Sequence, residues 1–168
     1  MKQVSIPSGA NLAQMYREVA GDYPKFFKMD VASKLGFLLT ELLVAGEPGR
    51  FEPRQDRAVL VFSRQGCMAN DRHYAQSMAD FPSPALFVYT LPNIVTGEIA
   101  IRNKYAGETS AFVLESFDQA QIKQLVRQAF LDRGTRSAIV AWIDCPSDEE
   151  WTAQAWLLDI NDLDIWNN

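Results

Sequence analysis

The chain has 168 residues, 48% of them apolar and 22% charged, with a net charge of −5. That length buries a core within one domain over residues 1–168, and the charge argues against nonspecific binding to nucleic acid or to an anionic membrane surface. Its longest apolar run, Gly36 to Val44, is broken by Thr40 and Glu41, and MKQVSIPSGANL has no apolar signal core, so neither a membrane span nor secretion is expected.

Met1 to Ile6 reads as a short edge strand, ended by Pro7. Asn11 then caps a helix that carries Leu12, Met15, Tyr16 and Val19 at spacings of three and four, stopping near Gly21. Asp30 caps a second helix reaching about Ala45, whose Val31, Leu35, Leu38, Leu39, Leu42 and Leu43 make a wide apolar face. Arg57 to Ser63 is a continuous apolar run of strand length. Such a run suits a strand covered on both faces. Asn70 to Ala79 reads as a short helix broken by Pro82 and Pro84, with Phe87 to Thr90 extended after it.

Asn93 caps a helix to about Tyr105, with Gly107 beyond its end. Ser110 to Leu114 follows as a strand. Asp118 caps a helix from Gln119 to Arg133, closed by Gly134. Ser137 to Ile143 and Ala153 to Ile160 are the last strands, and Asn161 to Asn168 is a polar tail with a few packed apolar residues. Trp142 and Trp156 lie within strands and read as core rather than as a ligand box. Helices alternating with short apolar strands imply a layered α/β body.

The helix from Gln119 carries Ile122, Leu125, Val126, Ala129 and Phe130 on one face and Gln121, Lys123, Gln124, Arg127 and Gln128 elsewhere. A helix wet on one side cannot be the middle layer of a larger core without burying Lys123 and Arg127 unpaired.

Several stretches carry a family signal. Ser83-Pro84-Ala85-Leu86-Phe87-Val88-Tyr89-Thr90-Leu91-Pro92-Asn93-Ile94-Val95-Thr96-Gly97-Glu98-Ile99-Ala100-Ile101 resembles the β-ketoacyl synthase segment SP-x-x-F…LPN-x-x-x-G-x-[IV]-A-I, which leads into the strand ending at the catalytic cysteine. Met29 to Gly36 resembles that family's MD-x-[LA]-S-[RK]-L segment, which opens a buried helix. Arg57 to Ser63, followed by Gln65-Gly66-Cys67, is similar to its strand and glycine-containing loop, and Asp132 to Ala141 to the stretch after its nucleophile helix. Together they span most of residues 29–144, in the family's order.

The resemblance implies one thiolase-like half: a mixed, mostly parallel, five-stranded sheet flanked by helices. The family's two basic catalytic residues come from its second half and have no counterpart here. Its nucleophilic cysteine lies nine residues after a turn glycine, and counting from Gly107 gives Ser116. A cysteine there is activated by the positive end of the following helix. A serine hydroxyl needs a positioned base instead, and Glu115 and Asp118 surround it with negative charge. Ser116 or Asp118 as a helix cap is the simpler reading; the enzymatic alternative makes Ser116 the acyl acceptor of a hydrolase or acyltransferase. His73, the one histidine, falls in a different region and reads as a surface residue.

By the same resemblance the chain is a noncatalytic, chain-length-factor-like subunit in fatty-acid, polyketide or aryl-polyene-type biosynthesis. Its expected mate is a full-length ketosynthase or a second copy of itself. The pairing edge is Ser110, Ala111, Phe112, Val113 and Leu114, backed by Leu86 to Pro92, since a hydrophobic edge left open invites pairing. An acyl-carrier protein is a further partner, which this acidic chain would meet through a local basic patch such as Lys25, Lys28 and Lys34. A homodimeric scaffold or binding protein is the alternative of a different class. Cys67 and Cys145 read as two reduced thiols of a cytoplasmic protein. One histidine and no cysteine pair give no zinc site; no metal or cofactor is expected.

Overall fold

Five segments are extended: β1 (Lys2–Ile6), β2 (Arg57–Ser63), β3 (Thr109–Val113), β4 (Ser137–Asp144) and β5 (Thr152–Asp159). In the computed structural model, which describes residues 1–166, they join one sheet in the order β1-β5-β4-β2-β3. β2 runs parallel to β3 and β4, while β5 is antiparallel to both β4 and β1. Only β5 therefore opposes the common direction, and the expected mixed, mostly parallel sheet is present.

Alternation along the strands divides the core in two. Val59, Val61, Ile139, Ala141 and Ile143 face one side, where α1 (Leu12–Val19), α2 (Val31–Leu43) and α5 (Ile94–Asn103) pack. Ala58, Leu60, Phe62, Ala138, Val140 and Trp142 face the other, under α6 (Gln119–Ala129) and the short α7 (Asp162–Ile165). Residues of both parities on β2 are thus buried, which is why its sequence is an unbroken apolar run. α2 is the central helix of the first layer. Asp30 accepts a hydrogen bond from the Ser33 N–H at 3.0 Å to start it, and Gly36 lets α5 approach so closely that an added Cβ would lie 2.6 Å from Val95 Cγ2.

Three segments differ from the sequence-based expectation. Phe87 to Thr90 is not extended: Phe87 and Val88 end α4 (Pro84–Val88) and Tyr89 and Thr90 form a turn, because Ser83 accepts from the Leu86 N–H at 3.3 Å and Pro84 begins the helix. α6 stops at Ala129, short of Arg133. The tail forms the short helix α7, which was not expected, while its expected packed apolar residues are Leu163 and Trp166, the latter against Trp156 with ring centroids 5.0 Å apart. Asn167 and Asn168 lie outside the described residues. A helix expected from Asn70 is α3 (Met68–Ser77).

A charged cluster holds the sheet's lower end. Buried Arg57, at the start of β2, donates to both Glu47 carboxylate oxygens at 2.7 Å, to the Tyr105 hydroxyl at 3.0 Å and to Ser137 Oγ at 3.0 Å. The hydrogen bonds from Arg57 hold the Glu47 carboxyl below its ordinary range. Arg54 accepts from the Ala106 N–H at 2.7 Å and donates to Lys104 O at 3.0 Å, so the chain is aligned before it enters β3.

Gly107 sits at that entry. A Cβ there would lie 2.9 Å from Gln55 O and closer still to Arg57 O, both backbone atoms that cannot swing away. Gly107→Ala is expected to cost about 1–3 kcal/mol in urea unfolding. Gly97→Ala, inside α5 with no atom near its Cβ position, is expected to stabilise by about 0.5–1 kcal/mol.

Candidate functional site: the β3 edge and its elbow

β3 has β2 on one side and no strand on the other among the described residues. Glu108 O accepts from the Val59 N–H at 2.8 Å and the Leu114 N–H donates to Ser63 O at 2.9 Å. Residues 108, 110, 112 and 114 therefore turn their backbone groups inward. Thr109, Ala111 and Val113 point theirs outward, unpaired. The expected edge residues Ser110 to Val113 lie in this strand, and Leu114 follows directly after it. Phe112 stacks on Phe62 with centroids 5.0 Å apart, while Val113 is 58% exposed.

Beyond β3 the chain turns through Glu115, Ser116 and Phe117 into α6. Ser116 thus lies at a strand-to-helix junction. It is exposed, and its hydroxyl makes no hydrogen bond among the described residues. Asp118 is the cap: its Oδ1 accepts from the Ala120 N–H at 2.9 Å and the Gln121 N–H at 3.1 Å. The donors that would stabilise an anion at this helix start are engaged by a carboxylate. Phe117 packs edge-on against Trp142 at 5.4 Å and over Trp156 at 6.2 Å, fixing the elbow to the second core. His73 lies on α3, 3.2 Å from Asp148. The outer face of α6 is wet, as Gln121, Gln124, Arg127 and Gln128 are exposed.

Sequence reasoning missed a narrow cleft beside the edge, open to solvent. Val61, Leu91, Ile94, Val95 and Ala111 line it, with Asp30 and Cys67 among its polar walls. Burial raises the Asp30 carboxyl above its ordinary range despite the Ser33 bonds and nearby Lys34, and it pushes the Cys67 thiol up to about 12. A thiol so placed is a poor nucleophile at neutral pH. No local signal marked this cleft, because its walls come from distant elements.

The basic patch is divided. Lys25 pairs with buried Glu98 at 2.8 Å. Lys28 and Lys34 border a groove with His73, Asn70 and Leu86, into which Asp30 and Asp148 also face. Among the described residues no metal-binding cluster forms and no helix is long and apolar enough to cross a membrane.

Solved structures share this arrangement. The fold is the thiolase-like one of ketosynthase and chain length factor chains. A structure described as the ketosynthase ApeO in complex with its chain length factor ApeC from Xenorhabdus doucetiae matches with a TM-score of 0.67 and 17% identity, over 95% of this chain and 77% of that one. The ishigamide ketosynthase/chain length factor matches with a TM-score of 0.71 and 13% identity, over 87% of this chain but 48% of that one. The chain thus spans about half the length of the second relative and most of the first. No protein-family model and no curated protein matches it.

Two substitutions test the assigned roles at the elbow. Asp118→Ala is expected to cost about 1 kcal/mol in urea unfolding, while Ser116→Ala changes stability by less than about 0.5 kcal/mol. A pH series tests Asp30. Its raised carboxyl favours folding below the unfolded value, and that contribution is lost as pH rises through the folded value. Asp30→Asn keeps a capping side chain and is expected to stabilise the protein at pH 7 on the order of 1 kcal/mol, with the gain fading below about pH 4.

Proposed function

We propose that this chain is a noncatalytic ketosynthase-like subunit that pairs with a ketosynthase-type chain in polyketide, aryl-polyene or fatty-acid biosynthesis. The observation that carries the reading is the elbow after β3. The resemblance assigns the family's cysteine position to this elbow, and the elbow holds an exposed serine with no hydrogen-bonded base and a helix start occupied by Asp118. Acyl transfer to Ser116 would need a general base, and His73, on α3, is engaged with Asp148 of the β4–β5 loop.

The free edge of β3 supports a pairing role. It offers unpaired backbone groups beside apolar side chains, a template for strand addition. The fold neighbours support it too, since one is described as a ketosynthase with its chain length factor. The shares covered imply that the matched chain in that complex is roughly a quarter longer than this one. Lys28 and Lys34 are the basic residues available to an acidic carrier protein, because Lys25 is tied to Glu98.

Co-expression with the complete ketosynthase encoded nearest to it tests the reading. A one-to-one complex is expected, together with no acyl adduct on this chain by intact-mass analysis after exposure to acyl thioesters. An acyl group on Ser116, lost in Ser116→Ala, would replace this reading with an enzymatic one; failure to form any complex would remove the pairing role.

A further inference from the structure

We infer that residues 67–88, the α3–α4 hairpin, form a lid that swings as a unit about Gly66 and Tyr89, uncovering Cys145 and the start of α2 and widening the cleft beside β3. The inference concerns the chain by itself and requires no partner.

The hairpin belongs to neither core. From Arg64 to Val88 no apolar side chain is buried, and Asn70 is the one buried residue. Its larger apolar groups face solvent instead: Phe81 is 80% exposed, Met78 54% and Phe87 50%. β2 just before it and Tyr89 just after it are buried. A segment without buried apolar contacts opens at a lower cost than the packed elements around it.

The hairpin is stitched mainly to itself. Asn70 Nδ2 donates to Leu86 O at 2.8 Å, the Ser83 N–H donates to Ser77 Oγ at 3.2 Å, and Tyr74 packs on Phe87 with centroids 5.4 Å apart. Its backbone-to-backbone hydrogen bonds, among the described residues, stay between residues 65 and 90. Two side-chain bonds leave it, and both reach the β4–β5 loop. Arg72 Nη1 donates to Pro146 O at 3.0 Å, and His73 Nε2 lies 3.2 Å from Asp148 Oδ2. Both tethers are exposed, and exposed contacts of this kind hold weakly.

Each end suits a swing. Gly66 has φ +58°, a conformation glycine adopts without steric cost, and an added Cβ would meet only Val113 Cγ2, at 3.6 Å. At the far end the buried Tyr89 donates its hydroxyl to Glu98 at 3.2 Å, fixing the chain again before α5. Gly66 and Cys67 wall the cleft beside β3. Ala69 and Asn70 share a small pocket with Cys145, Asp148 and residues 30–32. Cys145 is 3% exposed, and burial raises its thiol above the ordinary range. Alkylation there therefore reports the lifted hairpin. Once lifted, the ten-residue α3 is too short to stay helical alone, so its amides exchange through the same opening.

Alkylation of Cys145 in a Cys67→Ser background, with amide exchange mass spectrometry on the same protein, tests the inference. Cys145 should react at a rate unchanged by low urea and at least tenfold faster than global unfolding, which the amides of β2 and β4 report. Peptides from 67–88 should exchange ahead of both strands. Arg72→Ala with His73→Ala removes both tethers at exposed sites, where folding is not at risk. The pair should speed Cys145 alkylation and lid exchange together at least threefold while the urea midpoint stays in place. A Cys145 that reacts only at the global rate, or lid peptides as slow as β2, overturns the inference. Faster alkylation with lid exchange unchanged also overturns it, by placing the motion in the β4–β5 loop.

Discussion

One constraint organises this molecule: β3 is held from one side only. β2 carries it in parallel register, and the strand's remaining backbone groups, on Thr109, Ala111 and Val113, have no partner among the described residues. Much of the chain serves to present that strand. Arg57 ties the start of β2 to Glu47, Tyr105 and Ser137. Arg54 aligns the segment entering β3 through its backbone, and Gly107 lets that segment pass against the carbonyls of Gln55 and Arg57. Buried ion pairs are weak sources of net stability but strongly penalise loss of one member. The cluster therefore specifies where β3 begins.

The elbow after β3 joins a strand to a helix whose first donors are already engaged. A strand meeting a helix start is suited to holding a nucleophile at the positive end of the helix. Here Asp118 takes the first helical N–H donors, Phe117 anchors the turn on Trp142 and Trp156, and Ser116 projects to solvent. The turn packs on the second core through Phe117. The second face of the sheet is closed by the chain's own aromatic groups, with Trp166 of the tail completing the cover over Trp156. α6 stays wet outside, consistent with the charge pattern of Lys123 and Arg127.

Legibility in the sequence followed the range of the interactions involved. β2 was readable to the residue, because burial on both faces leaves an apolar run with charged ends. The caps Asn11, Asp30 and Asp118 were readable because a cap is a local bond. α4 was not, since Pro82 and Pro84 read as breakers while Ser83-Pro84 in fact starts a helix. The helix α7 was hidden because four helical residues carry no periodicity. The edge and elbow were placed by family resemblance, whereas the cleft of Asp30 and Cys67 and the capture of Lys25 by Glu98 depend on contacts between distant segments. No local pattern encodes those.

Amide hydrogen exchange at Thr109, Ala111 and Val113, read residue by residue in the free and partnered chain, tests the central claim most directly. Outward amides of an edge strand exchange fast when free, and those in a strand pair are protected. The account predicts protection at these three positions on pairing, with the inward amides of residues 110 and 112 already slow. Equal, rapid exchange at the outward amides within a formed complex would contradict it, by placing the interface elsewhere.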